Sequence, residues 1–168
     1  TIDKLLALAE VEQHGWLQSR DTLSVATLFA AVEQGAQLRA QAAGVQVQVQ
    51  PAGAMTLQGD GYLLRQALGN LLDNAIDFSP AGSSIQLIAA VQAGGIALQV
   101  VDQGTGIPEF ARGRVFERFY SLARPATGVR SSGLGLPFVG EVARLHGGHA
   151  SVEGGAAGGT RAVLWLPR

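Results

Sequence analysis

The sequence has no cysteine, one methionine, two tryptophans and two tyrosines among its 168 residues. Without thiols there are no disulfides, no thiolate metal sites and no cysteine nucleophile, which is compatible with a reducing compartment. Charged residues make up only 15% of the chain and leave a net charge of -1. That balance lacks the clustered Lys and Arg by which nucleic-acid binders neutralise phosphates, so nucleic acid is excluded as the expected partner. No stretch approaches the roughly 18 consecutive apolar residues of a membrane span, and no basic-then-apolar leader opens the chain. Only three histidines are present, none followed by the acid and proline of a phosphoacceptor pattern.

Apolar residues, by contrast, reach 47%, and glycine occurs 23 times, about one residue in seven against a usual ~7%. The length fits one domain able to bury an α/β core. Ile2, Leu5, Leu6, Leu8, Ala9 and Val11 recur at near-helical spacing from the first residues, as in a helix already under way in a longer protein. A short extended stretch near Leu23 leads into a second helix ending at about Ala43, with Gly44 as its stop. Residues 45–50 alternate Val and Gln, the pattern of a half-buried strand, and a weaker strand is expected over 55–58. Asp60 can N-cap a helix running to about Phe78, which Ser79-Pro80 terminates. Residues 84–92 and 95–102 read as a hairpin around Ala93-Gly94-Gly95. A loop-like stretch, 103–135, holds six glycines and two prolines, with a helical turn expected over 115–120. Such a long loop in a compact domain is usually functional. A last helix over 136–146 and two strands, near 150–153 and 161–166, close the chain.

Three segments carry candidate chemistry. On the 61–78 helix, Gln66, Asn70, Asp73, Asn74 and Asp77 face away from the apolar stripe Leu64, Ala67, Leu68, Leu71, Leu72 and Ala75. Such a face is ordinarily solvated, but asparagine is a mediocre helix former, and its neutral amide oxygen suits Mg²⁺ shared with substrate phosphates. Further on, Asp102-Gln103-Gly104-Thr105-Gly106-Ile107-Pro108 puts a carboxylate at a strand end before two glycines. It could brace a turn, or accept a hydrogen bond from an exocyclic amine while the glycines admit a base. Ser131-Ser132-Gly133-Leu134-Gly135-Leu136 runs into a helix whose free N–H groups can hold a phosphate, although the P-loop and dinucleotide fingerprints are both absent.

Together with Val115-Phe116-Glu117-Arg118-Phe119-Tyr120, these segments resemble, in order and spacing, the asparagine, first glycine, phenylalanine and second glycine boxes of the catalytic, ATP-binding domain of sensor histidine kinases. The Phe-Glu-Arg-Phe-Tyr run favours these kinases over gyrase-type ATPases of the same nucleotide fold, and the runs 67–78 and 131–145 are similar to their CreC branch. The resemblance implies an α/β fold: a two-layer sandwich, with a mixed sheet of about five strands covered on one face by helices (a Bergerat-type fold). It implies ATP and Mg²⁺ as cofactors, with a catalytic domain over 21–168 after the end of a dimerisation helix over 1–20.

Carried over by position, Asn74 would ligate Mg²⁺ and Asn70 contact phosphate or ribose. Asp102 would read the adenine amine, Gly104, Gly106 and Ile107 would lie against the base, and Phe78 would pack near it. Ser132, Gly133, Leu134, Gly135 and Leu136 would border the phosphates. Phe116, Phe119 and Tyr120 would anchor a lid, with Arg118, Arg124 and Arg130 as its candidate cations. Asp77 stands where many members have a cation, so its part would run through water or the metal. The implied partners are an upstream dimerisation domain bearing the phosphoacceptor and a response-regulator receiver domain. The implied whole is a membrane-anchored homodimer whose catalytic part is cytoplasmic. A nucleotide-sensing module without kinase activity, suggested by Asp77, and a self-contained gyrase-like ATPase are the alternative readings.

Overall fold

The structure, a computed structural model, describes residues 2–14, 19–117, 120, 135–155 and 158–168. Its elements in chain order are α1 (Ile2–His14), β1 (Asp21–Ser24), α2 (Val25–Ala43), β2 (Gln46–Val49), β3 (Thr56–Gly59), α3 (Gly61–Phe78), β4 (Ser84–Gln92), β5 (Gly95–Val101), α4 (Glu109–Arg112), α5 (Gly135–Leu145), β6 (His149–Gly154) and β7 (Thr160–Pro167). Five strands form one mixed sheet in the order β2-β4-β5-β7-β6, in which β2 runs parallel to β4 and the remaining pairs are antiparallel. The expected two-layer α/β architecture is therefore observed. β1 and β3 pair separately as a small antiparallel ribbon.

Local chemistry accounts for most boundaries. The Ser24 side chain accepts from Thr27 N–H to start α2, and Gly44 ends it in the left-handed region at φ 70°. Asp60 starts α3 by accepting from Leu63 N–H at 3.1 Å. Ser79, extended at the other end, donates its hydroxyl to the Ala75 carbonyl at 2.6 Å. The β4–β5 turn falls on Ala93 and Gly94, both at positive φ, as a two-residue hairpin of right-handed twist requires. A short helix forms at 109–112, where Pro108 pre-sets the entry and Glu109 carries the acid favoured in a first turn. Of the helical turn expected over 115–120, a bond from Tyr120 N–H to the Glu117 carbonyl at 3.3 Å is present, and residues 118 and 119 lie outside the described residues.

The core lies between the helices and the sheet face made by Ile85, Leu87, Ile96, Leu98, Val100, Leu164 and Leu166. α3 supplies Leu64, Leu68, Leu71 and Leu72, and α5 supplies Phe138, Val139 and Val142. Leu8 and Val11 of α1 are buried in the same cluster, so this helix packs on the domain rather than standing off as a bare linker.

His146, just beyond α5, locks this layer at the start of α3. It is buried; its Nε2 accepts from the Asp60 N–H at 3.0 Å, and its Nδ1 lies 2.7 Å from the Val142 carbonyl. Gly59 leaves room for the ring, since a Cβ there would press on it at 2.8 Å. An acceptor Nε2 and a donor Nδ1 define a neutral imidazole. Burial pushes its pKa below the ordinary value, with nearby Arg20 adding to the effect and the Val142 bond and Asp60 opposing it. A histidine depressed in the folded state stabilises the fold above its unfolded pKa, and that stability is lost as pH falls from about 6.5 through the folded value. Urea titrations at pH 7.5 and 5.5 are expected to show the parent losing stability on acidification and His146→Gln losing distinctly less; equal losses in both would contradict this role.

Candidate nucleotide site

The sheet and α3 diverge at the carboxyl end of β5, and a cleft of about 770 Å³, open mouth included, lies between them. Leu71, Ala75 and Phe78 form one wall, Val100, Val152 and Ala162 the floor, and Ile107, Val115, Tyr120 and Leu136 the rim. Among the described lining residues the polar groups are Asn74, Asp102, Thr160 and the Tyr120 hydroxyl.

Asp102 is the first residue past β5. It is 6% exposed, and its Oδ1 accepts from the N–H of Gly104 at 2.9 Å and of Thr160 at 3.2 Å. Its own N–H donates to the Thr160 carbonyl at 2.9 Å. Among the described residues neither of these side-chain bonds engages Oδ2, and Asp102 lines the cleft. Burial pushes the carboxyl pKa above its usual value, only partly offset by the two backbone donors. A fixed carboxylate acceptor within an apolar slot can select a flat ring bearing an exocyclic amine.

The glycines around it divide by role. A Cβ at Gly104 would land on the Phe78 carbonyl oxygen, so this glycine lets the loop lie against the end of α3 and does not itself line the cleft. Gly106, at φ 80°, does line it. Gly159 and Thr160 were not singled out in the sequence. Gly159, at φ 74°, lies directly on the Asp102 carbonyl, and Thr160 provides the second N–H to Oδ1. Their one local signal is Gly158-Gly159-Thr160 at the start of the final strand, which acquires meaning only once β7 is known to pair with β5.

The polar stripe of α3 is shared among several partners. Asn74 faces the cleft. Asn70 turns toward α5, and its Nδ2 donates to the Gly135 carbonyl at 3.3 Å. Asp73 pairs with Arg39 of α2 at 2.6 Å, and Gln66 donates to the Tyr62 hydroxyl at 3.0 Å. Asp77 is half-buried on α3 and is not among the cleft-lining residues. Gly135 and Leu136, the first residues of α5, border the cleft. Phe116 packs toward Gly140 of α5, and Tyr120 lies under the Arg114 guanidinium at 4.5 Å. Arg118, Phe119, Arg124, Arg130, Ser131, Ser132, Gly133 and Leu134 lie outside the described residues.

Magnesium can be tested against this donor set. Among the described residues no cluster of three or more His, Cys, Asp or Glu could cage a metal ion. Asn74 offers one neutral oxygen. A single amide ligand fits an ion that arrives with a polyphosphate and keeps most of its water, and does not fit a resident metal.

Residues 59–168 match the family described as histidine kinase-, DNA gyrase B-, and HSP90-like ATPase. The chain belongs to that family. Sensor protein CreC of Escherichia coli (strain K12) is 45% identical over 146 residues, which cover 87% of this chain and 30% of that protein. The chain thus spans under a third of that relative's length. Among solved structures, full-length ShkA in complex with AMPPNP superposes with a TM-score of 0.81 at 26% identity, covering 99% of this chain and 35% of that one. The ATP binding domain of PrrB from Mycobacterium tuberculosis gives 0.69 at 31% identity, covering 89% and 98%. The resemblance read from the four boxes is borne out, down to its CreC-like character.

Proposed function

We propose that this chain is the ATP-binding catalytic unit of a two-component sensor histidine kinase, which moves the ATP γ-phosphoryl group to a histidine on a dimerisation domain. The observation that carries the reading is Asp102: a buried carboxylate that lines an apolar cleft with one oxygen tied to two backbone N–H groups. The kinase relatives support the choice of reaction. In this reading Asp102 holds the adenine amine and Phe78 and Ile107 flank the ring. Asn74 would hold Mg²⁺ brought with the phosphates, and that ion would supply neutralisation of phosphate charge. Phosphoryl transfer needs mainly positioning and such charge neutralisation, which is what a cleft with few titratable groups can provide.

α1 reads as the end of the dimerisation helix, with the phosphoacceptor, a response-regulator receiver domain and a membrane anchor as elements of the whole homodimeric protein. The catalytic part would face the cytoplasm; among the described residues no helix is long and apolar enough to cross a membrane.

Calorimetric titration of the chain with an ATP analogue, with and without Mg²⁺, tests the site. Asn74→Ala is expected to remove the Mg²⁺-dependent increment, roughly 10- to 100-fold in affinity, while leaving adenosine binding unchanged. An unchanged Mg²⁺ dependence would contradict the assignment. Adding a dimerisation domain tests the reaction, and ATP affinity without phosphohistidine would favour a nucleotide-sensing module instead.

A further inference from the structure

The base-binding loop, residues 102–108, is held firmly at one end. Gly104 N–H is bonded to Asp102, Gly104 is wedged against Phe78, and the Gln103 side-chain oxygen accepts from Ser84 N–H at 3.1 Å. The Ile107 end, which forms part of the cleft rim, is held differently. Its carbonyl accepts from Arg112 Nε at 3.1 Å, a contact between α4 and the loop before it. The Arg112 guanidinium in turn lies over the end of β6, where a Cβ on Gly154 would meet Nη2 at 3.2 Å. Gly154 has no positive φ, so its lack of a side chain serves this fit and not the backbone. The arginine thus spans from the sheet to the loop without itself lining the cleft.

We infer that Arg112 is a positioning residue for nucleotide affinity: its bond to the Ile107 carbonyl, made with the guanidinium seated against the end of β6, fixes the part of the cleft rim against which the base packs. This rests on the nucleotide reading of the cleft. Because the tether acts on the base and not on the phosphates, its loss lowers affinity for adenosine and for ATP by the same factor. Misplacing one wall by a fraction of an ångström is expected to cost about tenfold in each.

The test measures dissociation constants of the chain for adenosine and for an ATP analogue, together with thermal midpoints, for the parent, Arg112→Ala and Gly154→Val. Gly154→Val leaves the arginine in place but takes the space its guanidinium occupies, so it carries the test even if Arg112→Ala fails to fold. The expected result is an equal, roughly tenfold weakening for both ligands in each variant that folds. In the double variant, Gly154→Val adds nothing further. A purely structural role would instead lower the midpoint with both constants unchanged, and that result overturns the proposal. Weakening confined to the ATP analogue also overturns it. No binding by the parent would overturn the nucleotide reading itself, and this inference with it.

Discussion

Asp102→Asn is expected to lower affinity for ATP and for adenosine by roughly 100-fold or more while leaving the fold at least as stable as the parent at pH 7. The two halves of this result have one cause. The substitution keeps Oδ1, so the bonds from Gly104 and Thr160 survive. It turns Oδ2 into an N–H₂ group, so an acceptor of the ligand's amine becomes a donor facing a donor. Losing a charge-assisted bond is worth about 1.5–3 kcal/mol, and the unpaired groups left behind add to it. Stability moves the other way because the carboxyl is raised by burial. A carboxyl raised in the folded state contributes stability below its unfolded pKa, and that contribution is lost as pH rises through the folded value. Above that folded value the parent carries the penalty of the buried charge, and the neutral amide does not. Calorimetry and thermal melts on the same samples check both halves; a variant that melts well below the parent would show that Asp102 is chiefly a structural brace.

Gly159→Ala should have the largest effect on stability. An alanine at φ 74° is strained by about 1–2 kcal/mol, and its Cβ would be driven into the Asp102 carbonyl, an overpacking cost of about 1–3 kcal/mol. A total near 3 kcal/mol lowers the melting temperature by roughly 6–12 °C in a chain of this size. Gly158 provides the control, since it has a similar φ of 85° but nothing within 4 Å of a Cβ. Gly158→Ala should show only the backbone part of the loss. Because Gly159 displaces Asp102 as it moves, its variant should also weaken nucleotide binding, whereas Gly158→Ala should leave it largely intact. Equal melting temperatures for the two variants would contradict the close approach of the β7 turn to Asp102.

What could be read from the sequence was whatever short-range chemistry dictates. Asp60 as a cap, Gly44 as a stop, the Val-Gln alternation and the Ala93-Gly94 turn all express a preference within a few residues, and all four are where expected. Asp102 could be found because a carboxylate ending an apolar strand before two glycines is rare enough to stand out. The remainder depends on contacts across the chain. Pairing of β1 with β3 apart from the main sheet leaves no local mark. Thr160 becomes part of the site only through a bond to a residue 58 positions away. Gly104 looked like an opening for a base, but the space beside it is taken by the Phe78 carbonyl, which the periodicity of α3 gives no means of foreseeing. The polar stripe on α3 likewise looks uniform in sequence, and only packing against α2 and α5 assigns Asp73 to Arg39, Asn70 to Gly135 and Asn74 to the cleft.

The most direct measurement is a crystal structure of the chain grown with Mg²⁺ and a non-hydrolysable ATP analogue. The account predicts the purine between Phe78 and Ile107, its exocyclic amine bonded to Asp102 Oδ2, and the metal ion bound to the Asn74 amide oxygen. A nucleotide bound elsewhere, or a base seated in the cleft with no bond to Asp102, would contradict it.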